Sequence, residues 1–451
     1  MQEGGDVTEQ TKQNQPDAVP FGLSPSGDIR ARWAWVEATV WTERMLTALE
    51  QGVVGGTWYS LMDKVYALGT LRQAFGCVKE NRGSAGIDHV SVKEFERRLE
   101  SNLEQLASEL RDGRYRPQPI RRVWIEKLGS KDKRPLGIPT VRDRVVQTAL
   151  RMVLEPIFER EFATHSYGFR PGRGCKDALR RVDALLKEDY VWVVDADLKS
   201  YFDTIPHCPL VGRVREHVSD GRVLELIEAF LTAKVMETAE GWEPTEGTPQ
   251  GAVISPLLSN IYLNPLDHRM AGWGYEVVRY ADDLVILCRD EATARLALAE
   301  LSDWTQQAGL QLHPVKTRIV DARQEGGFDF LGYHFERGEK RPRKKSLAKF
   351  KDTIRAKTKR NNGHSLARII ANLNRTLRGW FEYFKHSHRY TFDPLDGWIR
   401  MRLRSTLRRR LKRPGRGRGR DHQRWPNAFF TTQGLFSLVT AHALARQSSS
   451  R

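Results

Sequence analysis

Cysteine is scarce in this chain: four among 451 residues, at Cys77, Cys175, Cys208 and Cys288. No two form a CxxC pair, and no Cys/His spacing matches a zinc site, so neither a disulfide scaffold nor a structural zinc is expected. Long apolar runs are also missing. None approaches the roughly 18 residues of a membrane span, and membrane partners are not expected. The opening MQEGGDVTEQTKQNQPDAVP is polar and lacks the apolar centre of a signal peptide. A reduced, cytoplasmic compartment is the expectation. Acids are the minority charge, 56 Asp/Glu against 73 Lys/Arg, which leaves a net charge of +17.

What is present is a globular composition, 40% hydrophobic and 29% charged, with an uneven charge distribution. Between Arg337 and Arg420 stand 28 Lys/Arg against 5 Asp/Glu, a surplus of 23, so the rest of the chain carries −6. So concentrated a basic block is the footprint of a polyanion, above all nucleic acid; a solvated basic face is the bland alternative. Lys344, Lys345, Arg408, Arg409 and Arg410 are its candidate nucleic-acid contacts. Aromatics are interleaved with the charge in LRGWFEYFKHSHRYTF, where they can stack on bases or pack a core.

Residues 1–30 read as a disordered tail, polar and without periodicity. Amphipathic helices are expected over about 31–80. Ser91 to Gly113 reads as one helix, with Phe95, Leu99, Leu103, Leu106 and Leu110 on one face and Ser91 as its cap. Ile120–Pro139 reads as a hairpin about a Gly-Ser-Lys-Asp turn, and Val141–Phe162 as a helix. Further helices are expected over Gly251–Met270, Glu291–Leu310 and from about 346 onward. Arg413–Arg420 reads as a flexible basic linker and Thr432–Arg446 as a short apolar helix.

Two acidic sets lie in apolar, β-branched surroundings. YEVVRYADDLVILC, Tyr275–Cys288, reads as strand, tight turn, strand, with Asp282 and Asp283 at the tip. YVWVVDADLKSYFDTI brings Asp195, Asp197 and Asp203 to the end of another strand. Buried acids are costly unless paired or metal-bound. Carboxylates converging from two strand ends repel one another unless hard cations bridge them, and Mg²⁺ takes such oxygens while keeping positions for phosphates. Two ions ~4 Å apart then serve phosphoryl or nucleotidyl transfer. A lone Asp-Asp turn is usually structural; the second acidic strand end, the glycine-rich GTPQG turn and the basic block set this one apart.

YADD, DLKSYFD, GTPQGAVISPLLSNIYL, KRPLGIPTVRDRVVQTAL and HSYGFRPGRGCKDAL resemble the ordered blocks of a reverse transcriptase. The last two, with NRGSAGIDHVSVKEFE, resemble the group II intron-encoded reverse transcriptase/maturase family, and LNRTLRGWFEYF resembles its thumb, or maturase X, domain. The resemblance spans about residues 40–451.

It implies an α+β right-hand polymerase: fingers and palm over 31–335, with an N-terminal extension to about 115; a basic helical thumb over 336–420; and a short DNA-binding segment over 421–451. It implies an RNA-directed DNA polymerase and splicing maturase using two Mg²⁺ ions. Asp197 and Asp282 would be the main metal ligands, Asp283 a third acid and the Leu198 carbonyl a further ligand, with Asp195 and Asp203 structural. For the dNTP it implies Lys127 and Arg134 on the triphosphate, Phe202 beneath the sugar, Gln250 against the base pair and Lys316 near the pyrophosphate. A core role for Phe202 and solvated surface roles for the cations are the alternatives at those positions. IEK stands where relatives often carry Ile-Pro-Lys. Implied partners are group II intron RNA, an RNA template with a DNA primer, target DNA and dNTPs, in a bacterial cytoplasm close to the nucleoid. With no Cys after Cys288 and no His-Asn-His endonuclease, the chain resembles the endonuclease-free, class C-like members. Two other readings remain at this stage, a splicing-only maturase and a domesticated reverse transcriptase serving repair or defence.

Overall fold

The computed structural model describes residues 28–126, 133–237, 240–242, 244, 246–248, 251–413, 415, 417 and 419–449. The expected disordered tail therefore lies, up to residue 27, outside the described residues. Asp28 already caps the first helix, Ile29–Arg32. Among the described residues no helix is long and apolar enough to cross a membrane.

The strands in chain order are β1 (Ile120–Glu126), β2 (Lys133–Ile138), β3 (Trp192–Asp197), β4 (Val235–Glu237), β5 (Glu240–Trp242) and β6 (Glu276–Tyr280). They continue as β7 (Asp283–Cys288), β8 (Arg318–Asp321), β9 (Phe328–Phe330), β10 (Tyr333–Glu336) and β11 (Glu339–Pro342). The chain divides into two compact units. One holds Met1–Val123, Leu136–Phe162 and Phe202–Asn264; the other holds Trp124–Pro135, Ala163–Tyr201 and Pro265–Arg451.

The first unit is built around the helix Val141–Glu161, whose Val145, Val146, Ala149, Leu150, Val153 and Leu154 are fully buried. Its buried acid, Asp143, is satisfied three ways. Tyr115 Oη (2.6 Å), Thr140 Oγ (2.7 Å) and the Gln118 amide (3.1 Å) all donate to it. The span expected as one helix from Ser91 is two, Val92–Arg97 and Leu99–Arg111, broken at Arg98 (φ −123°, ψ 39°). The first piece packs on the Val141–Glu161 helix and the second on Met62–Tyr66 and Leu68–Glu80. Phe95 stacks on Phe75 at 5.6 Å, and Asn102 Nδ2 donates to the Phe95 carbonyl at the break. In this unit Ile120 and Arg121 of β1 pair in parallel with Val235 and Met236 of β4, which pairs in turn with β5; the expected turn between β1 and β2 lies outside the described residues.

The second unit carries an all-antiparallel sheet of order β6-β7-β3-β8. The helix Glu291–Gln307 packs on β3, β7 and β8, and Cys175–Lys187 packs on β6 and β7, so burial along β7 is nearly continuous after its first residue. A smaller sheet, β9-β10-β11, adds Phe328, Phe330, Tyr333 and Phe335 to the same core. Three helices follow, Lys344–Lys357, Leu366–Phe384 and Phe392–Arg410. In the middle one Ile369, Ile370, Leu373, Leu377, Phe381 and Phe384 form the buried stripe, while Arg368, Arg375 and Arg378 face solvent. The last helix runs Leu438–Ser449, not Thr432–Arg446 as the apolar pattern suggests. Gly434 (φ +77°) turns the chain, and the buried Asp396 carboxylate then accepts from Ser437 Oγ (2.7 Å) and the Leu438 amide (3.1 Å), setting the helix start.

Candidate active site

In the second unit, strands β6 and β7 are joined by two residues, Ala281 and Asp282, with Tyr280 opposite Asp283. So tight a hairpin needs a positive φ at its first turn residue, where glycine is usual; Ala281 supplies it at +58°. The turn is held from beneath. Arg279 is fully buried, donates from Nε to Asp267 Oδ1 at 2.7 Å, and pairs through Nη2 with Asp267 Oδ2. Its Nη2 also donates to Ser166 Oγ (2.8 Å) and its Nη1 to the Ala281 carbonyl (2.9 Å). The segment His165–Gly168 runs beside β6: the Arg279 amide donates to the His165 carbonyl (3.0 Å) and the Tyr167 amide to the Arg279 carbonyl (2.9 Å). A Cβ at Gly168 would stand 2.3 Å from the Ala281 nitrogen, so only glycine permits this approach. Sequence reasoning quoted RYADD and HSYGFRPGRG but missed Arg279, Asp267, Ser166 and Gly168. An Arg three residues before Asp282, inside an apolar run, was the available signal.

The β3–β7 register sets Asp197 directly opposite Asp283, which places their Cβ atoms roughly 5 Å apart. Asp282 precedes Asp283 in the turn. The Asp283 carboxyl keeps an open edge, yet the protein around it displaces water; that burial first, and then the Asp282 charge, push its pKa up to about 6. Across the strand, residues 311–317 are strapped along β3. The Lys199 amide donates to the Gln311 carbonyl (2.8 Å) and the His313 amide to the Asp197 carbonyl (2.7 Å), while Leu198 is buried and bridged to Leu312. This strap delivers Lys316, whose ammonium pairs with Asp197 Oδ2. Asp195 pairs instead with Arg318 (3.4 Å); burial pushes it to about 6 against the pull of that arginine.

The donor set suits a hard divalent cation: opposed carboxylate oxygens, one of them with a raised pKa that a cation would relieve. Among the described residues no three His, Cys, Asp or Glu side chains close around one point. A cation held here would therefore complete its shell with main-chain oxygen, water and phosphate, as Mg²⁺ commonly does.

From Asp283 a cavity of about 570 Å³ extends to the basic helices, edged by Arg343 and Lys349 and floored by Phe350 and Trp380, which stack at 4.4 Å. The β9–β10 turn forms its wall, fixed where Tyr383 Oη donates to the Leu331 carbonyl (2.6 Å). Lys344, Lys345, Arg409 and Arg410 are exposed. Arg408 is partly buried and pairs at 2.8 Å with the buried Asp421, and Arg410 donates to the His364 carbonyl.

In the first unit, the Thr248 amide donates to the carbonyl of half-buried Phe202 (2.6 Å), and the Gly247 amide to that of Ile205 (2.8 Å). Gly247 (φ +88°) lies so close to the Asp203 backbone that a Cβ would meet it at 2.8 Å. Gly251 (φ +107°) lies against the Gly137 carbonyl in the same way. Gln147, another residue the sequence reading passed over, accepts from the Val253 amide (2.8 Å). Lys127 and Gln250 lie outside the described residues, as does the side chain of Arg134.

An antiparallel sheet presenting opposed aspartates at a strand end and a hairpin tip, followed by a basic helical region, defines the palm and thumb of a right-hand polymerase. Residues 125–335 match the family described as reverse transcriptase (RNA-dependent DNA polymerase), and residues 347–425 match the group II intron, maturase-specific domain. Protein YkfC of Escherichia coli is 35% identical over 293 residues, covering 57% of this chain and 77% of its own length. The group II intron-encoded protein LtrA of Lactococcus lactis is 42% identical over 171 residues, 37% of this chain and 28% of LtrA. Among solved structures, the partial Cas6-RT-Cas1–Cas2 complex aligns over 55% of this chain and 41% of its own at 23% identity and a TM-score of 0.36, a likeness too distant to carry an argument about function. The chain belongs to the group II intron reverse transcriptase/maturase family, and its polymerase portion is that of an RNA-directed DNA polymerase.

Proposed function

We propose that this protein extends a DNA primer on group II intron RNA for retrohoming and also binds that RNA to promote its splicing. The opposition of Asp197 and Asp283 across β3 and β7, with Asp282 in the adjoining turn, carries this reading. Asp197 and Asp282, with Asp283 and the Leu198 carbonyl, would hold two Mg²⁺ ions. Bound there, the ions supply charge for the attacking 3′-hydroxyl and the departing pyrophosphate. Lys316, delivered beside Asp197, would neutralise charge on the leaving phosphates. Lys127 and Arg134 would grip the triphosphate, Gln250 would lie against the nascent pair, and Phe202 would exclude a 2′-hydroxyl. The cavity edged by Arg343 and Lys349 would hold the primer backbone. Lys344, Lys345 and Arg408–Arg410 would contact RNA, with Arg408 acting through its pairing to Asp421. Fingers and palm would span 31–335, the thumb 336–420 and a DNA-binding segment 421–451.

The test uses one set of preparations for two assays, primer extension and splicing of precursor RNA at low Mg²⁺. Asp282→Asn removes a charge from the catalytic turn without altering the RNA-binding surface. Extension should fall by about 10³-fold or more while stimulated splicing stays near wild type. Extension above a tenth of the wild-type rate, or equal loss of splicing in a folded variant, would overturn the reading.

A further inference from the structure

A second cavity in the same unit, about 800 Å³, shares no lining residue with the one beside Asp283. Three elements far apart in sequence converge on it. Lys176 and Arg180 come from the helix Cys175–Lys187, Lys385 and Arg389 from the segment after Leu366–Phe384, and Arg446 from the final helix. Among the described residues no Asp or Glu lines it.

Surface carboxylates pair with several of the lining side chains, Glu339 with His388 at 3.3 Å among them. Lys176 and Lys385 share Glu382, at 3.9 and 3.1 Å, and Arg180 pairs with Asp177 on its own helix (2.6 Å). These pairs are solvent-exposed, where an ion pair is worth little and yields readily to a better anion. Two histidines stand in the same lining. His386 is held below its ordinary pKa by burial first and then by Lys340, Lys385 and Arg180; His442 is held low by burial, then by Arg446 and His388. At the edge, Tyr390 is 69% exposed, with the Arg389 guanidinium 4.8 Å above its ring.

The cations are spread over three separate elements, an arrangement that suits successive phosphates of a strand, and an exposed aromatic beside them suits a base. We propose that this cavity binds a single RNA strand through consecutive backbone phosphates, with Tyr390 stacking on a base. The proposal rests on RNA being the partner of the maturase-type region. It assigns that partner a second docking point whose residues belong neither to the carboxylate site nor to the primer cavity.

The test uses the full chain, with its polymerase cavity saturated by unlabelled RNA–DNA primer–template duplex, and a fluorescein-labelled 20-nucleotide single-stranded RNA as probe. Lys176→Ala/Arg180→Ala should weaken probe binding about tenfold and flatten the plot of log K against log salt by about 1.4, the slope carried by two phosphate contacts. Tyr390→Ala should weaken binding with the slope intact, and Arg180→Lys should restore the slope lost in Arg180→Ala. Primer extension at saturating duplex should remain within about twofold of wild type in the double variant, since none of these side chains lies in the catalytic region. Unchanged affinity and slope in the double variant would overturn the proposal. So would inorganic tripolyphosphate binding that depends on these cations while RNA binding does not, which would make the cavity a small-anion site. Failure of the polymerase reading is seen separately, as extension that survives Asp282→Asn, and leaves this RNA measurement unaffected.

Discussion

Arg279 and Asp267 form an ion pair with both side chains fully buried, and the hairpin turn bearing Asp282 is tied to that pair through the bond from Arg279 to the Ala281 carbonyl. The pair is costly to desolvate, and its geometry repays the cost: two bonds to Asp267, one to Ser166 and one to the turn itself. The pair thereby fixes the position of the turn that bears Asp282.

Removing one partner should therefore affect both stability and rate. Asp267→Asn or Arg279→Met should destabilise the fold by about 3–5 kcal/mol, because a buried charge is left uncompensated. The double replacement Arg279→Met/Asp267→Leu should recover much of that stability without recovering DNA synthesis. Chemical denaturation and primer extension on the same proteins check this; recovery of synthesis in the double variant would show that the pair does not position the turn.

Gly168→Ala should push the Ala281 backbone away, since the added Cβ would stand 2.3 Å from a main-chain nitrogen that cannot swing aside as a side chain would. The nucleotide-addition rate should fall about tenfold or more, as misplacement of catalytic groups by ~1 Å costs of that order. Gly172→Ala, where no atom lies within 4 Å of the added Cβ but φ is +67°, controls for backbone strain. Equal behaviour of the two variants would refute the packing argument.

Lys316 pairs with Asp197 Oδ2, with 61% of its side chain exposed. Lys316→Ala should tighten Mn²⁺ binding in the absence of nucleotide by about threefold, as a competing cation is removed from a carboxylate oxygen. The rate of nucleotide addition should fall in the same variant. Calorimetric titration checks the first effect and single-turnover extension the second; unchanged Mn²⁺ affinity would show that the ammonium does not compete for that oxygen.

Acid should loosen the support of the turn. His165 is held below its ordinary pKa, chiefly by burial, with its Nε2 3.0 Å from the Asp267 carbonyl. Below pH about 6.5 the unfolded chain takes up this proton before the native state does, so stability is lost as pH falls. His165→Gln has no such proton to take up, and its melting temperature should drop less between pH 7 and 5 than that of wild type. Parallel melting curves for the two proteins would exclude His165 as a contributor.

The carboxylate-bearing strand ends, the basic block and the polymerase class were legible in the sequence because their signals are local. YADD sits within one hairpin's worth of chain, and charge can be counted without coordinates. The helix from Ser91 reads as continuous because its apolar spacing stays helical across Arg98, while the break there goes with a contact of the first piece to the Val141–Glu161 helix. The start of the last helix escaped for a similar reason: Asp396, some forty residues upstream, supplies its cap. Tertiary structure alone brought Asp267, Ser166 and Gly168 to the underside of the turn, and Lys176, Lys385 and Arg446 around one cavity. Periodicity records which face of an element is buried. It does not record which distant residue completes a hydrogen bond or which cations converge, because those depend on how elements far apart in the chain meet.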